Sequence, residues 1–208
     1  METDHTKSQI VAKAIELFSD RGCKGVTMDD IASGMHMSKR TLYELFANKE
    51  ELMEACLVEV YCTMGKERLK IFKKIDDPLL LTVYLTKHTM SQNMLYHNLL
   101  NDAARIYPEL NAKIYNDYKE NFRNVMTEEL TKAMSAGDLR PSADIGHAVE
   151  LMTSTIETNV RNCDFISTDN KPMISEALYT YMRGMLSVAA IERYDKKEAE
   201  FRKMLQNV

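Results

Sequence analysis

The sequence predicts an all-α protein. Three observations point there: apolar residues recur at helical spacing along nearly the whole chain, glycine (7) and proline (4) are scarce in 208 residues, and no alternating apolar–polar run suits a strand. With 45% hydrophobic and 28% charged residues, the chain can bury a full core as one or two domains.

The first helix, about residues 6–20, carries Ile10, Ala14, Leu17 and Phe18 on one stripe. It stops near Gly22, because glycine tolerates the left-handed backbone of a C-terminal cap. Thr27 then has the side chain of an N-cap, and Asp30 places negative charge in the first turn of a short helix running to about Gly34. Ser38 is a second N-cap, opening a helix that ends near Phe46. Asn48 caps a third, with Glu50 and Glu51 in its first turn. Two short helices joined by a tight turn, followed by a long one, is the predicted outcome.

The second short helix displays Lys39, Arg40, Thr41 and Tyr43 on its first turns, while Leu42, Leu45 and Phe46 hold its other face in the core. That is the shape and chemistry of an element that enters a DNA major groove. A formal net charge of -4 excludes coating of nucleic acid or an anionic membrane through bulk charge, and residues 1–50 hold seven basic against eight acidic side chains. Binding to DNA must therefore come from placement.

Beyond Lys49 the helices lengthen. Leu52, Cys56, Val60 and Met64 mark a connecting helix, residues 79–91 and 94–105 form two more, and Leu110, Ile114, Tyr118, Phe122, Met126, Leu130 and Met134 make a long stripe. Residues 137–142 (GDLRPS) read as a loop. Ile145, Val149, Met152 and Ile156 line the next helix, residues 162–170 form a polar connection, and a helix over 172–191 carries Ile174, Leu178, Tyr181, Met182, Met185 and Ala189. A last amphipathic helix covers about 195–206. The change of pattern divides the chain into a DNA-binding domain, 1–50, and a helical domain for ligand and dimerisation, 51–208.

Enzyme chemistry finds no foothold in the motifs. Cys23, Cys56, Cys62 and Cys163 lack C-x-x-C spacing, the five histidines are scattered, and no nucleophile stands beside a histidine in a known arrangement. No catalytic residue, metal ligand or cofactor is expected. The polar N-terminus and the shortness of the longest apolar run, PLLLTVYL, predict a cytoplasmic protein with no membrane partner.

The stretch from Phe18 to Leu52 resembles the DNA-binding domain of the tetracycline-repressor (TetR) family of bacterial transcription regulators. The matching pieces are F-x-x-x-G at Phe18 and Gly22, T-x-x-D-I-A from Thr27 to Ala32, S-K-R-T-L-Y from Ser38 to Tyr43, and F-x-x-K-E-x-L from Phe46 to Leu52. They cover roughly the first quarter of the chain; the remaining helices agree in number and order. The resemblance implies that Thr27 and Lys49 contact phosphates at helix N-termini, that Tyr43 does so through its hydroxyl, and that Lys39, Arg40 and Thr41 touch base edges. One departure stands out: the turn commonly reads Ala-Gly-Val-Ser in the family and is Met35-His36-Met37-Ser38 here. His36 then stands where glycine would relieve a positive φ, either as a tolerated turn residue or as a phosphate contact.

The resemblance further implies a homodimer formed through the last two major helices, a palindromic double-stranded DNA operator, and a small-molecule effector that releases the repressor from DNA. Ala177, Gly184 and Val188 set small side chains beside the stripe of the 172–191 helix, where a partner backbone could approach. With Tyr181, Met182 and Met185 they form the candidate dimer interface; an intrachain packing face explains the same residues. Met and Tyr crowd the middle helices, which suits an adaptable cavity for an apolar, aromatic or amphipathic effector, with His97, Tyr115 and Tyr118 as candidate polar contacts. Two alternatives stay open: a ligand-independent regulator, whose middle helices would pack solid, and a helical enzyme or adaptor that has lost DNA binding.

Overall fold

The computed structural model describes residues 2–75, 77–161, 177 and 180–205. The expected polar connection at 162–170, and with it Cys163, Ile174 and Leu178, lies outside them. The described helices are α1 (Glu2–Arg21), α2 (Met28–Gly34), α3 (Lys39–Leu45), α4 (Lys49–Phe72), α5 (Pro78–Leu95), α6 (His97–Ile106), α7 (Pro108–Ser135), α8 (Ile145–Arg161) and α9 (Val188–Leu205). No strand occurs among the described residues. The all-α expectation holds.

Local chemistry fixes the helix starts. Pro78 and Pro108 stand at the first helical positions of α5 and α7, where the missing N–H costs nothing and the fixed φ already suits the helix. Asp77 caps α5 by accepting the Leu80 N–H at 3.2 Å, and Asp144 caps α8 by accepting the His147 N–H at 2.9 Å.

The chain forms two compact units. The first takes residues up to Lys66 together with Gln92–Tyr118, so it is larger than the stretch 1–50 that carries the DNA-reading helices. Its buried side chains come from nearly every helix it holds. Ile10, Ala14 and Phe18 on α1, Ile31 on α2, Leu42 on α3, Leu52, Cys56, Val60 and Met64 on α4, and Leu99, Leu100 and Ala103 on α6 are at most 1% exposed. Leu45 is only half-buried.

The second unit takes Glu67–Ser91 and the chain from Lys119 onward. Its core joins Leu81, Tyr84 and Leu85 of α5 to Phe122, Met126 and Leu130 of α7 and to Val149, Met152 and Ile156 of α8. Ala190 and Tyr194 of α9 complete it. Asp77 is almost fully buried and meets the Lys197 ammonium at 3.0 Å. The helix expected over 172–191 does not run through: helical residues end at Gly184 and α9 begins at Val188. The break is made by backbone pairing with the α7–α8 loop, where Arg140 N–H donates to Met185 O at 2.9 Å and Ser187 N–H donates to Asp138 O at 2.8 Å.

Candidate nucleic-acid interface

The helix-turn-helix of α2 and α3 is held by caps. At the start of α2, the Thr27 hydroxyl donates to Asp30 Oδ2 (2.6 Å), the Thr27 N–H donates to the same oxygen (2.7 Å), and Thr27 Oγ1 accepts the Asp30 N–H (3.2 Å). The Thr27 hydroxyl, together with the Thr27 N–H, holds the Asp30 carboxyl below the usual carboxylate range. The Thr27 side chain stays exposed beside this cap.

At the far end of α2, His36 adopts φ 52°, the left-handed conformation that the family resemblance implied at this turn position. Its N–H donates to Ser33 O (3.1 Å) and the Met37 N–H donates to Ala32 O (3.0 Å), a Schellman closure that leaves the exposed imidazole outside the turn. Ser38 then caps α3, accepting the Thr41 N–H at 3.1 Å while its hydroxyl meets the Thr41 hydroxyl at 2.8 Å.

From this frame α3 presents an exposed face. Lys39, Arg40, Thr41 and Tyr43 are all exposed, and the Arg40 side chain is 88% open to solvent. Two carboxylates hold the cations: Asp29 of α2 pairs with the Lys39 ammonium at 2.8 Å, and Glu44 pairs with Arg40 Nε at 2.9 Å. The Asp29 carboxylate raises the Lys39 pKa. Lys39 Nζ also lies 6.0 Å from the centre of the Tyr43 ring. Exposed pairs of this kind are worth at most about 1 kcal/mol, so phosphate or a base edge can replace either carboxylate.

Lys49 corrects an expectation. Its ammonium points inward and donates to the Cys23 and Val26 carbonyls, the second at 2.5 Å, and it stands 5.7 Å from the Phe18 ring centre. It closes the α1–α2 loop from inside. The start of α4 is capped by others: Asn48 Oδ1 accepts the Glu51 N–H at 2.9 Å, and Glu51 Oε2 accepts the Ala47 N–H at 2.7 Å.

Residues 10–56 match the family described as bacterial regulatory proteins, tetR family. Over that stretch the chain carries a DNA-binding segment like that of the tetR family. Among its relatives, the HTH-type transcriptional repressor KstR2 of Mycobacterium tuberculosis is 21% identical over 167 residues, which is 77% of this chain and 82% of KstR2. The negative regulator IcaR of the biofilm operon icaADBC in Staphylococcus epidermidis is 44% identical over 46 residues, 22% of this chain and 25% of its own. A solved gamma-butyrolactone receptor shares the fold, with a TM-score of 0.68 at 20% identity over 98% of this chain and 100% of the receptor.

Two features that sequence reasoning missed lie on α6. Asp102 Oδ2 accepts the Cys23 N–H at 2.7 Å, and Asn98 Nδ2 donates to Ser19 O at 2.8 Å. Together they grip the end of α1 and the loop leading to α2. No local signal announces such a pairing, because the partners lie 79 residues apart.

The expected effector contacts are half-buried. Tyr115 and Tyr118 come together around Tyr61, whose ring centre lies 5.8 Å and 4.8 Å from theirs, and burial pushes the Tyr61 phenol up. His97 opens α6. In the second unit, His88 Nε2 and Thr89 Oγ1 on α5 are buried without a hydrogen-bond partner, and burial lowers the His88 pKa.

The expected dimer residues divide. Met182 and Met185, 0% and 3% exposed, belong to the core of their own chain and leave the candidate interface; Tyr181 packs half-buried against the same core. Ala177, Gly184 and Val188 are exposed, Val188 by 89%. A groove of about 420 Å³ beside them is lined by Arg140, His147, Tyr181 and Gly184. No described helix is long and apolar enough to cross a membrane.

Proposed function

We propose that this DNA-binding regulator is a repressor that reads a palindromic operator as a homodimer and is released by a small effector. The exposed α3 face carries the reading: Lys39, Arg40, Thr41 and Tyr43 share one capped helix whose opposite side is anchored by Leu42. Relatives named as repressors support the direction of control, and the exposed small residues Ala177, Gly184 and Val188 support assembly through the end of the chain. Selection of bound sequences from random DNA by the purified protein tests it. An enriched palindrome is expected; enrichment of single, non-repeated sites would remove the two-fold reading, and no enrichment would remove DNA reading altogether.

The buried, unpartnered His88 Nε2 and Thr89 Oγ1 support an effector in the helical domain. Such atoms cost free energy until a ligand or water satisfies them, so they favour an amphipathic molecule with hydrogen-bonding groups on an apolar body. The name of the solved gamma-butyrolactone receptor and the description of KstR2 as a ketosteroid regulator are in keeping with a ligand of that kind. His97, Tyr115 and Tyr118 remain the proposed polar contacts nearer α6 and α7.

A further inference from the structure

A groove of about 570 Å³ runs between α1 and α4 and shares no residue with the DNA-reading set. Its floor is small and aliphatic: Ser8 and Ala12 stand one turn apart on α1, Ala55 and Val58 face them from α4, and Val58 is 52% exposed. Its rim is acidic. Glu51, Glu54 and Glu59 line it beside Lys7, whose Nζ lies 5.3 Å from the Phe46 ring centre. Glu54 meets exposed Lys113 at 3.4 Å and Glu59 accepts from the Thr63 hydroxyl at 3.2 Å, contacts that leave all three carboxylates at the surface.

We propose that this groove docks an amphipathic basic helix of a partner protein. From Glu51 to Glu59 the α4 wall spans about 12 Å at about 1.5 Å per residue, which is two turns of a docked helix. Small side chains on the floor let its backbone approach, so apolar residues spaced i, i+3 and i+4 would cover Ala12, Ala55 and Val58. Lys or Arg on its flanks would face Glu51, Glu54 and Glu59. The acidic rim repels phosphate, which excludes DNA as the occupant. A two-fold contact of this groove with itself would bring two acidic rims close together, which disfavours a second copy docked groove to groove.

The test is display selection of random 16-residue peptides on the full-length protein, counter-selected on the Val58→Asp variant. Enriched peptides should alternate apolar and basic positions at helical spacing. A synthesised winner should lose about tenfold or more in affinity with Val58→Asp, the loss expected of a central apolar anchor. It should also weaken with Glu54→Gln combined with Glu59→Gln, a surface change that keeps the floor intact. Operator affinity should stay the same in both variants. Acidic or uncharged winners, winners that bind both variants as well as the parent, or no enrichment over the Val58→Asp variant would each overturn the proposal.

Discussion

At the scale of single residues, the direction of a side chain separates base reading from scaffold. Arg40 projects into solvent and pairs with Glu44, so Arg40→Ala should cost about 1 to 3 kcal/mol of operator binding and relax preference at one base position per half-site. Competition binding against single-base operator variants measures both effects. Lys49→Ala should act on folding instead: it strips the Cys23 and Val26 carbonyls of their donor and should lower stability by about 1 to 3 kcal/mol, read as a fall in Tm. A loss of DNA affinity with unchanged Tm would return Lys49 to the phosphates. His36→Gly should raise stability by about 0.5 to 1 kcal/mol, because glycine enters the left-handed region without the Cβ clash that His36 carries at φ 52°. The positive φ was legible through the resemblance, because His36 stands where the family's turn commonly holds glycine. The fate of the Lys49 ammonium was not, since the same side chain reaches solvent or a carbonyl with equal ease until the α1–α2 loop is in place.

At the scale of elements, the helices were legible almost to the residue where a cap or an apolar stripe marked them: Thr27, Ser38 and Asn48 start helices as expected, and the 110–134 stripe is α7. The break at 185–187 was not legible. Gly184 and Ser187 are weak local stop and start signals that the continuous apolar stripe outweighed; the interruption is held by the antiparallel bridge between Leu186 and Leu139, far away in sequence. The grip of α6 on the α1–α2 loop has the same long-range origin and makes a testable pair. A Cβ at Gly22 would fall 2.9 Å from Asp102 Oδ2, and Gly22 has φ 71°. Gly22→Ala and Asp102→Ala should each destabilise, the second by about 1 to 3 kcal/mol through the orphaned Cys23 N–H. A double-mutant cycle should show the two to be non-additive, Gly22→Ala costing less once the carboxylate is gone. The α2 capping box adds a pH signature. Because Asp30 titrates below its ordinary range in the folded chain, its contribution is complete above that range and is lost as pH falls through the folded pKa. Denaturant melts between about pH 5 and pH 2 should therefore decline more steeply for the parent than for Thr27→Ala.

At the scale of the whole molecule, α4, α5 and α7 each contribute residues to both compact units, so an effector in the helical domain would act on DNA through continuous backbone. Coupling of about 1 to 3 kcal/mol would loosen DNA by about 5- to 150-fold. Replacing His97, Tyr115 and Tyr118 by Phe or Leu should blunt that response and leave ligand-free operator affinity unchanged, as titrated by fluorescence anisotropy. Gly184→Glu and Val188→Glu place charge on exposed positions of the candidate interface, so sedimentation should find monomers with weakened operator binding. A persistent dimer in both would move the interface elsewhere. The ion pairs on the reading face carry one more consequence, for the search that precedes recognition. Lys39 and Arg40 arrive at DNA already neutralised by Asp29 and Glu44, so the ions displaced at the operator include the protein's own carboxylates. Each carboxylate set free takes up cations while the duplex releases its own, so the net release is smaller and the affinity should fall only shallowly as salt rises. Random duplex offers no base edge to repay the broken pairs, which leaves the regulator weakly held there and free to travel between sites.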